Sequence, residues 1–242
     1  MEGINNDYDL LSDEYSKSHE KPDKKYSMLP TILKIMDLDK GLRVIDVGCG
    51  DGFFSKEISK KSKKVIGIDN SEQQIKKAKI NSSRNISFIV GDMLEFSYPS
   101  CERVLCPFVL GYIKEKEKLI ELFSKFHKSL SNDGRVIGII DMPKSNVHDS
   151  LKWGSIKKVY SKGLKEGAKM DIELYNKSKL IMSLRAYFHK KEVIEDCLRK
   201  AGFSKIIWEK PIISSEGIKD LGNKFWGGYL ENIDIAYFVA EK

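Results

Sequence analysis

The chain has 242 residues, a hydrophobic fraction of 41% and a formal net charge of +7. This length supports one sizeable core, so we expect a single domain over residues 1–242. No apolar run approaches the roughly 18 residues of a membrane span, and residues 1–7 lack the basic and apolar regions of a signal peptide. We therefore expect a cytoplasmic protein without a membrane span, as a monomer or a homodimer.

The positive charge is spread along the chain. Basic residues alternate with acids, as over 114–118, and nearly all are lysine rather than the arginine preferred for bidentate phosphate contacts. A solvated lysine-rich surface is the simpler interpretation, with the runs 56–64 and 152–169 as candidate weak contact patches. A nucleic acid partner is therefore not expected.

Metal ligands are not grouped in this sequence. The four cysteines show no paired spacing of the kind that zinc sites use, and only four histidines are present. The sequence therefore predicts no metal site. Cys49 lies inside a glycine-rich loop, where we expect it to pack as a small residue, and no cysteine is assigned to catalysis.

The first forty residues precede the first predicted strand and carry several tyrosines among acids and lysines. Pro30 suits the first turn of a helix whose apolar residues would pack beside a sheet before Gly41 releases the chain. We expect residues 1–40 to form a helical lid. For residues 1–12, a frayed terminus with solvated tyrosines is the alternative.

An apolar strand over 44–47 runs into a glycine-rich loop over 48–52. A strand this apolar is buried on both faces, as in a parallel sheet covered by helices. Glycines let the backbone turn tightly and approach a ligand at the N-terminus of the following helix. A dinucleotide fingerprint would place its third glycine at position 53, which is Phe53. The loop therefore predicts a nucleotide-type cofactor other than NAD.

The pattern Asp46-x-Gly48-x-Gly50-x-Gly52 resembles motif I of the class I S-adenosylmethionine-dependent methyltransferases. The resemblance implies S-adenosylmethionine as the methyl donor and S-adenosylhomocysteine as the product. It also implies an α/β fold, Rossmann-like, with a seven-stranded, mostly parallel sheet and helices on both faces. Residues 41–142 would then form the cofactor-binding half, and residues 143–242 would cover the substrate and complete the sheet.

Two acids at the ends of later strands support the resemblance. A strand over 65–68 leads to Asp69, where an acid can accept hydrogen bonds from both ribose hydroxyls. A strand over 86–90 leads to Asp92, and the family's acid at this place contacts the adenine amino group. Taken singly, each acid has a local alternative, because Asp69 precedes a capping box formed by Ser71 and Gln74 and Asp92 suits a turn. The ordered set favours the cofactor interpretation, and we expect the cofactor to contact Tyr15, Asp46, Gly48, Cys49, Gly50, Asp69, Asn70, Asp92, Met93 and Phe108.

A fourth strand over 103–106 is followed by the segment 107–112, which should face the transferred methyl group because ligands lie outside the carboxyl ends of parallel strands. The segment departs from the Asn/Asp-Pro-Pro-Tyr/Phe motif of amino methyltransferases, which argues against nucleobase amino groups in polymers. An apolar period of 3.6 residues then predicts a helix over 119–130, stopped by 132–134, before a fifth strand over 135–141.

The regular alternation lapses between Pro143 and Phe188. We expect a lysine-rich helical stretch and then a hairpin over 172–187, and in the resembled family an insertion after the fifth strand builds the substrate cover. A helix over 190–201 and strands over 205–210 and 233–240 would finish the sheet.

The segment 223–230 is aromatic and glycine-rich. With residues 108–112 it resembles the toxoflavin-type N-methyltransferases, which act on a planar azapteridine. Aromatic side chains stack on flat heterocycles, so the predicted substrate contacts are Tyr8, Tyr112, Trp153, Phe225 and Trp226. The alternative for this segment is a hydrophobic plug at the sheet edge.

The cofactor suggests how the reaction proceeds. The sulfonium charge disappears as methyl leaves, so in-line positioning in a dry pocket can supply much of the rate without a dedicated base. A hydroxyl or a protonated amine acceptor would need a base, and the candidates are Tyr112, His19, His148 and Asp141. We expect methylation of a ring nitrogen in a small planar heterocycle. The alternatives are an RNA methyltransferase acting on tRNA and a non-catalytic, cofactor-binding partner subunit.

Overall fold

The computed structural model describes residues 6–143, 152–160, 163–176 and 178–242. The α-helices are α1 (Ser12–Lys17), α2 (Leu29–Met36), α3 (Phe53–Ser59), α4 (Glu72–Ala78), α5 (Lys116–Ser129), α6 (Lys191–Lys200), α7 (Ser215–Trp226) and α8 (Tyr229–Asn232). The strands are β1 (Arg43–Val47), β2 (Lys64–Asp69), β3 (Ile86–Val90), β4 (Cys101–Pro107), β5 (Leu130–Asp141), β6 (Ser155–Val159), β7 (Lys169–Asn176), β8 (Lys179–Tyr187), β9 (Lys205–Glu209) and β10 (Ile235–Glu241). Within the described ranges, no helix is long and apolar enough to cross a membrane.

Seven strands form the central sheet in the order β3-β2-β1-β4-β5-β10-β9. Neighbours from β3 to β5 pair in parallel, while β10 runs antiparallel to both β5 and β9. The chain leaves β1 toward β2 on one side and reaches β4 on the other, which creates the crevice where ligands bind in open α/β sheets. The predicted Rossmann-like, seven-stranded and mostly parallel fold is confirmed.

Helices cover both faces of this sheet because consecutive strand residues point to opposite sides. Val44 packs with α2 and α3 on one face, whereas Ile45 packs with α5 and α6 on the other. Phe123 and Phe126 of α5 are fully buried, as their helical period predicts. The two apolar layers fix the sheet and thereby the positions of its strand ends.

Two helices end before the glycine that the sequence indicates as the stop. Helix α2 stops at Asp37, which adopts a left-handed conformation with φ of 48°, rather than at Gly41. Helix α5 stops at Ser129, and Leu130 already belongs to β5, where it pairs with Cys101. At α2 the left-handed residue ends the helix locally, whereas at α5 the pairing of β5 with β4 ends it.

A separate antiparallel sheet in the order β6-β7-β8 covers the carboxyl edge of the central sheet, and we call it the cover sheet. Its β7–β8 hairpin confirms the hairpin predicted over 172–187. The sequence predicts a helix for the lysine-rich stretch before the hairpin. This prediction is wrong over β6, which is a strand. There, burial alternates along the strand, so Ser155 and Lys157 point inward while Lys158 points to solvent.

The lid, defined here as residues 6–28, crosses from the cover sheet to the central sheet. The Asn6 side chain donates to the Arg185 carbonyl and accepts from its backbone N–H at 2.6 and 2.8 Å. Asp9 accepts from Ser71 Oγ and from the backbone N–H of Gln73 in the first turn of α4. These bonds hold residues 6–9 in place, which favours the predicted lid over the frayed terminus for the described part of 1–12.

Candidate active site

A cavity of about 430 Å³ lies at the carboxyl ends of the central strands, beneath the lid and the cover sheet. Its volume falls in the range of small-molecule sites, which is about 300–1,000 Å³. The glycine loop, the ends of β2, β3, β4 and β5, the lid and the cover sheet all contribute to its wall. The fold therefore gathers segments that are far apart in sequence around one enclosed space.

The glycine loop adopts the conformation that its sequence predicts. Gly48 has φ of +67°, and a Cβ there would lie 2.2 Å from Cγ1 of Val109. The Gly48 and Cys49 backbone N–H groups donate to the Ile68 carbonyl at 2.8 and 3.0 Å, which anchors the loop to β2. Only glycine fits both the left-handed backbone and the contact with the segment after β4.

Asp46 differs from the other predicted cofactor residues because its side chain does not line the cavity. It is fully buried beneath the loop, where Oδ2 accepts from Ser55 Oγ at 2.6 Å. Oδ1 has no hydrogen-bond partner among the described residues, and burial raises the pKa of this carboxyl to about 7, against the hydrogen bond from Ser55. In this structure Asp46 braces α3 under the loop.

Asp69 both shapes the glycine loop and lines the cavity. Its Oδ2 accepts from the Gly50 backbone N–H at 2.8 Å and its Oδ1 from that of Ser71 at 3.0 Å. Ser71 caps α4 by accepting from the Gln74 backbone N–H, as predicted, but the Gln74 side chain does not complete the capping box. Asp69 supplies that second bond instead, so the local and the cofactor interpretations of this acid are compatible. Burial raises its pKa, against these backbone bonds.

The other predicted cofactor residues also lie in the cavity wall. Asp92 accepts from the Leu94 backbone N–H at 2.7 Å, so it is a turn residue as well as a wall residue. Phe108 has φ of +64°, a backbone conformation that costs a residue with a side chain about 1–3 kcal/mol and is concentrated at functional sites. The remaining wall residues from the prediction are Tyr15, Gly48, Cys49, Gly50, Asn70 and Met93.

Three tyrosines meet at the cavity. The Tyr8 hydroxyl is hydrogen bonded to that of Tyr112, and the Tyr8 ring lies edge-on to Tyr15 with a centroid distance of 5.7 Å. All three line the cavity. Burial raises the pKa of Tyr112 well above its usual range, so its hydroxyl is protonated at neutral pH and acts as a hydrogen-bond donor or acceptor.

His19 joins the lid to the glycine loop through Asp51. Its Nε2 lies 2.6 and 2.7 Å from the two Asp51 oxygens, and Ser16 Oγ also donates to Asp51 at 2.7 Å. Burial opposes the charge on Asp51, but these bonds lower its pKa to about 2. Burial and the nearby Lys24 lower the pKa of His19 in spite of Asp51, so we assign a neutral ring that donates from Nε2. Its Nδ1 is buried and has no partner among the described residues.

Sequence reasoning missed two buried lysines in the part of the cavity wall where β5 ends. Lys157 of β6 reaches the central sheet, with Nζ 3.4 Å from Asp141 Oδ1 and 2.7 Å from Asp234 Oδ2. Lys21 lies 3.6 Å from Asp23. The alternation of residues along β6 could have indicated that Lys157 points inward, but the stretch was predicted to be a helix. Burial raises the pKa of Asp141, against the effect of Lys157.

Three predicted substrate residues lie elsewhere. Trp153, Phe225 and Trp226 do not line the cavity. The predicted aromatic loop is the end of α7, and the Trp226 indole donates to the Gly217 carbonyl at 2.9 Å while packing against Tyr26. The segment is a hydrophobic plug, because Trp226 is buried and packs with the partly buried Phe225 and with Tyr26 of the lid. The predicted base His148 lies outside the described residues, and within those residues no cluster of metal-ligating side chains is found.

Comparison with known proteins identifies the family. A model described as a methyltransferase domain matches residues 38–189. The carboxy-S-adenosyl-L-methionine synthase of Nautilia profundicola is 31% identical over 181 residues, which cover 71% of this chain and 72% of that protein. A 23S rRNA uracil-C5 methyltransferase of Aliivibrio fischeri is 38% identical over 58 residues, which cover 24% of this chain and 13% of that protein.

Solved structures share the fold. An S-adenosylmethionine-dependent methyltransferase from Mesorhizobium loti has a TM-score of 0.64 at 15% identity, covering 93% of this chain and all of that one. DesVI of Streptomyces venezuelae has a TM-score of 0.61 at 16% identity and covers 98% of this chain and 99% of that one. The fold and the glycine loop define a class I methyltransferase. The chain belongs to the methyltransferase-domain family and is an enzyme that uses S-adenosylmethionine.

Proposed function

We propose that this enzyme transfers the methyl group of S-adenosylmethionine to a small molecule that is enclosed in the cavity with the cofactor. The observation that carries the proposal is the shared wall: lid residues Tyr8 and Tyr15 and cover residues Ser155 and Lys157 line the same space as the glycine loop. An acceptor beneath the lid is surrounded on several sides, which suits a small molecule. The whole chain, residues 1–242, acts as one domain in this proposal.

The order of the strands supports one orientation of the cofactor along the carboxyl edge of the sheet. Asp92 follows β3, Asp69 follows β2, the glycine loop follows β1 and Phe108 follows β4. With the adenosine part over β3 and β2, as the family resemblance implies, the methionine part extends over β1. The transferred methyl group then points toward Phe108 and the acceptor side near β5.

The acceptor in this proposal is a planar heterocycle methylated on a ring nitrogen. Support comes from the aromatic wall of Tyr8, Tyr112 and Phe108, which can bury a flat ring while leaving its nitrogens to a few polar groups. The part of the toxoflavin-type resemblance that rests on residues 108–112 favours the same acceptor. The buried segment containing Trp226 no longer contributes to this argument.

The chain's own residues act mainly by positioning. The bound sulfonium would supply the methyl group, and the lid and the cover sheet would limit the access of water to the transfer. For an acceptor nitrogen that carries a proton, Asp141 is the best-placed base, since it lines the cavity and burial raises its pKa. Tyr112 is protonated, and His19 is held by Asp51, so these two candidates orient the lid and the acceptor instead.

A tritium-transfer screen tests the proposal. The enzyme is given methyl-labelled S-adenosylmethionine with planar nitrogen heterocycles, amines, phenols, and bulk tRNA and rRNA. The expected result is label in a heterocycle, and Asp141→Asn should slow transfer while cofactor affinity stays unchanged. Preferential labelling of tRNA or rRNA would replace the proposal with the RNA alternative. Cofactor binding without transfer to any acceptor would favour the non-catalytic partner subunit.

A further inference from the structure

Lys157 is a buried lysine that the cover sheet places against two acids of the central sheet. Its side chain is 3% exposed, and its Nζ lies 3.4 Å from Asp141 Oδ1 and 2.7 Å from Asp234 Oδ2. Asp141 is the last residue of β5, and Asp234 comes directly before β10, whose first residue, Ile235, pairs with Asp141. The two carboxylates are therefore neighbours at one end of the sheet, and they share one ammonium.

This sharing leaves the buried group with more negative than positive charge. Lys157 is one cation for two carboxylates, and it lies closer to Asp234 than to Asp141. Lys21 of the lid also acts on Asp141, but its Nζ is 3.6 Å from Asp23, which compensates much of its charge. Two buried carboxylates at one site do not both ionise readily, because each negative charge disfavours the other. Without the ammonium, the two acids would therefore hold a proton between them.

A proton on Asp141 would block its role in the proposed reaction. Asp141 lines the cavity, whereas Asp234 does not, and only an ionised carboxylate can accept a proton. We propose that Lys157 is a positioning residue that keeps Asp141 ionised for its role as the base. Asp141 would take the proton of the acceptor nitrogen as that nitrogen bonds to the methyl carbon and the carbon–sulfur bond of the cofactor breaks. The inference rests on the proposed function, because it takes Asp141 as the base.

The charged or titratable groups that face Asp141 come from four parts of the fold. They are Lys157 of β6, Lys21 of the lid, Asp234 before β10 and Tyr112 after β4. Tyr112 is protonated at neutral pH and adds no charge. Burial is the main cause that raises the pKa of Asp141 and Asp234 adds to it, whereas Lys157 is the strongest group that opposes the rise. Removing the ammonium should therefore move the titration of Asp141 to higher pH, and removing the charge of Asp234 should move it to lower pH.

The test follows the titration of Asp141 itself. Carbon-13 NMR of enzyme labelled at the aspartate carboxyl carbons reports protonation in the complex with S-adenosylhomocysteine, and the loss of one resonance in Asp141→Asn identifies Asp141. Lys157→Met should move this titration to higher pH by about one unit or more, since an adjacent opposite charge is lost. Asp234→Asn should move it to lower pH, because the ammonium then serves one carboxylate.

Lys158→Met is the matched control. Lys158 is the next residue on β6, but it points to solvent and pairs with Glu173. This variant also removes a paired lysine from the same strand, so it reports any general effect of such a change on the cover sheet. The titration of Asp141 should stay where it is in wild type.

A rate profile with the heterocycle labelled in the screen tests the link to catalysis. On the acid side, kcat of Lys157→Met should fall by about 10-fold or more, and it should approach the wild-type value at high pH. The KM for S-adenosylmethionine should stay within about 2-fold of wild type. A rate lowered equally at every pH would make Lys157 a structural residue only and would overturn the proposal.

An unmoved Asp141 titration in Lys157→Met would also overturn the proposal. If that variant does not fold, Asp234→Asn decides, because a titration that does not move to lower pH would have the same meaning. The two proposals fail separately. A failed acceptor screen would leave the order of the titrations intact, and an unmoved titration would leave the result of the screen intact.

Discussion

Residues 41–142 and the lid and cover sheet that enclose the cavity are built in different ways. In residues 41–142, each strand is followed by the loop that carries its site residue, so Asp69 and Asp92 are fixed by the strands before them. The lid and cover are held by contacts between distant parts of the chain, such as Asn6 with Arg185 and Tyr26 with Asp220. Substitutions in the first region should therefore affect cofactor binding most directly, whereas substitutions in the second should mainly affect stability and closure.

The largest effect is expected at the buried end of α7. Trp226→Ala should lower the free energy of unfolding by about 3–5 kcal/mol, because it empties the cluster beneath the lid. Affinity for S-adenosylhomocysteine should stay within about 2-fold of wild type. Denaturant unfolding measures the stability and calorimetry measures the affinity. Leu230→Ala on α8 is the control: Leu230 is half-exposed, so the free energy of unfolding should stay within about 0.5 kcal/mol of wild type. Unchanged stability with a raised acceptor KM would restore the substrate-loop interpretation.

Gly48→Ala tests the cofactor-binding half. The added Cβ would meet Val109 at 2.2 Å in a left-handed backbone, so we expect a loss of about 2–4 kcal/mol in unfolding free energy and strongly weakened cofactor binding. Gly167→Ala is the matched control, since its φ of +69° is similar but nothing lies within 4 Å of the added Cβ. Equal effects of the two substitutions would mean that backbone strain, and not the close approach, requires the glycine.

Asp69→Ala should weaken S-adenosylhomocysteine binding by about 1–3 kcal/mol through lost ribose hydrogen bonds. It also frees the backbone N–H groups of Gly50 and Ser71, so a smaller loss of stability should accompany it. An S-adenosylhomocysteine analogue that lacks the ribose hydroxyls separates the lost ribose bonds from the altered loop. It cannot form the ribose bonds, so Asp69→Ala should weaken its binding less. An unchanged dissociation constant for S-adenosylhomocysteine would place the ribose elsewhere.

The smallest effect concerns the pH dependence of lid closure. The folded state lowers the pKa of His19. The contribution of His19 to the stability of the closed lid is therefore present above about pH 6.5 and is lost as the pH falls through the lowered pKa. Hydrogen exchange over residues 12–20, corrected for intrinsic rates, measures the free energy of local opening. This free energy should fall by under about 1 kcal/mol between pH 7 and pH 5. His19→Gln should remove this dependence; protection that still falls equally would assign it to another group.

Local patterns predicted the central sheet and most of the cofactor wall. The apolar strand before Gly48 and the acids at strand ends are local features, and the structure places Asp69 and Asp92 in the cavity. Asp46 was assigned to the cofactor because it belongs to the same motif, although its side chain turns under the loop toward Ser55. A motif identifies the segment, but side-chain direction depends on the packing below it.

The lid, the cover sheet and the end of α7 were predicted less well because their residues meet only through tertiary structure. Lys157 appeared to be one of many surface lysines, and its burial depends on the pairing of β6 with β7 and on two distant acids. Asp51 was visible in the glycine loop, but its partner His19 comes from the lid. The sequence left Trp226 open between a substrate contact and a plug, because nothing local predicts that Tyr26 packs against it.

The position of β10 has a consequence for synthesis on the ribosome. This strand follows β9 in the chain but lies between β5 and β9 in the sheet. Roughly 90 residues separate β5 from β10, so at about 5–20 residues per second the outer edge of β5 remains unpaired for about 5–20 s. An unpaired edge is prone to association with other chains during that interval. The nascent enzyme should therefore depend on chaperone binding until β10 has left the exit tunnel.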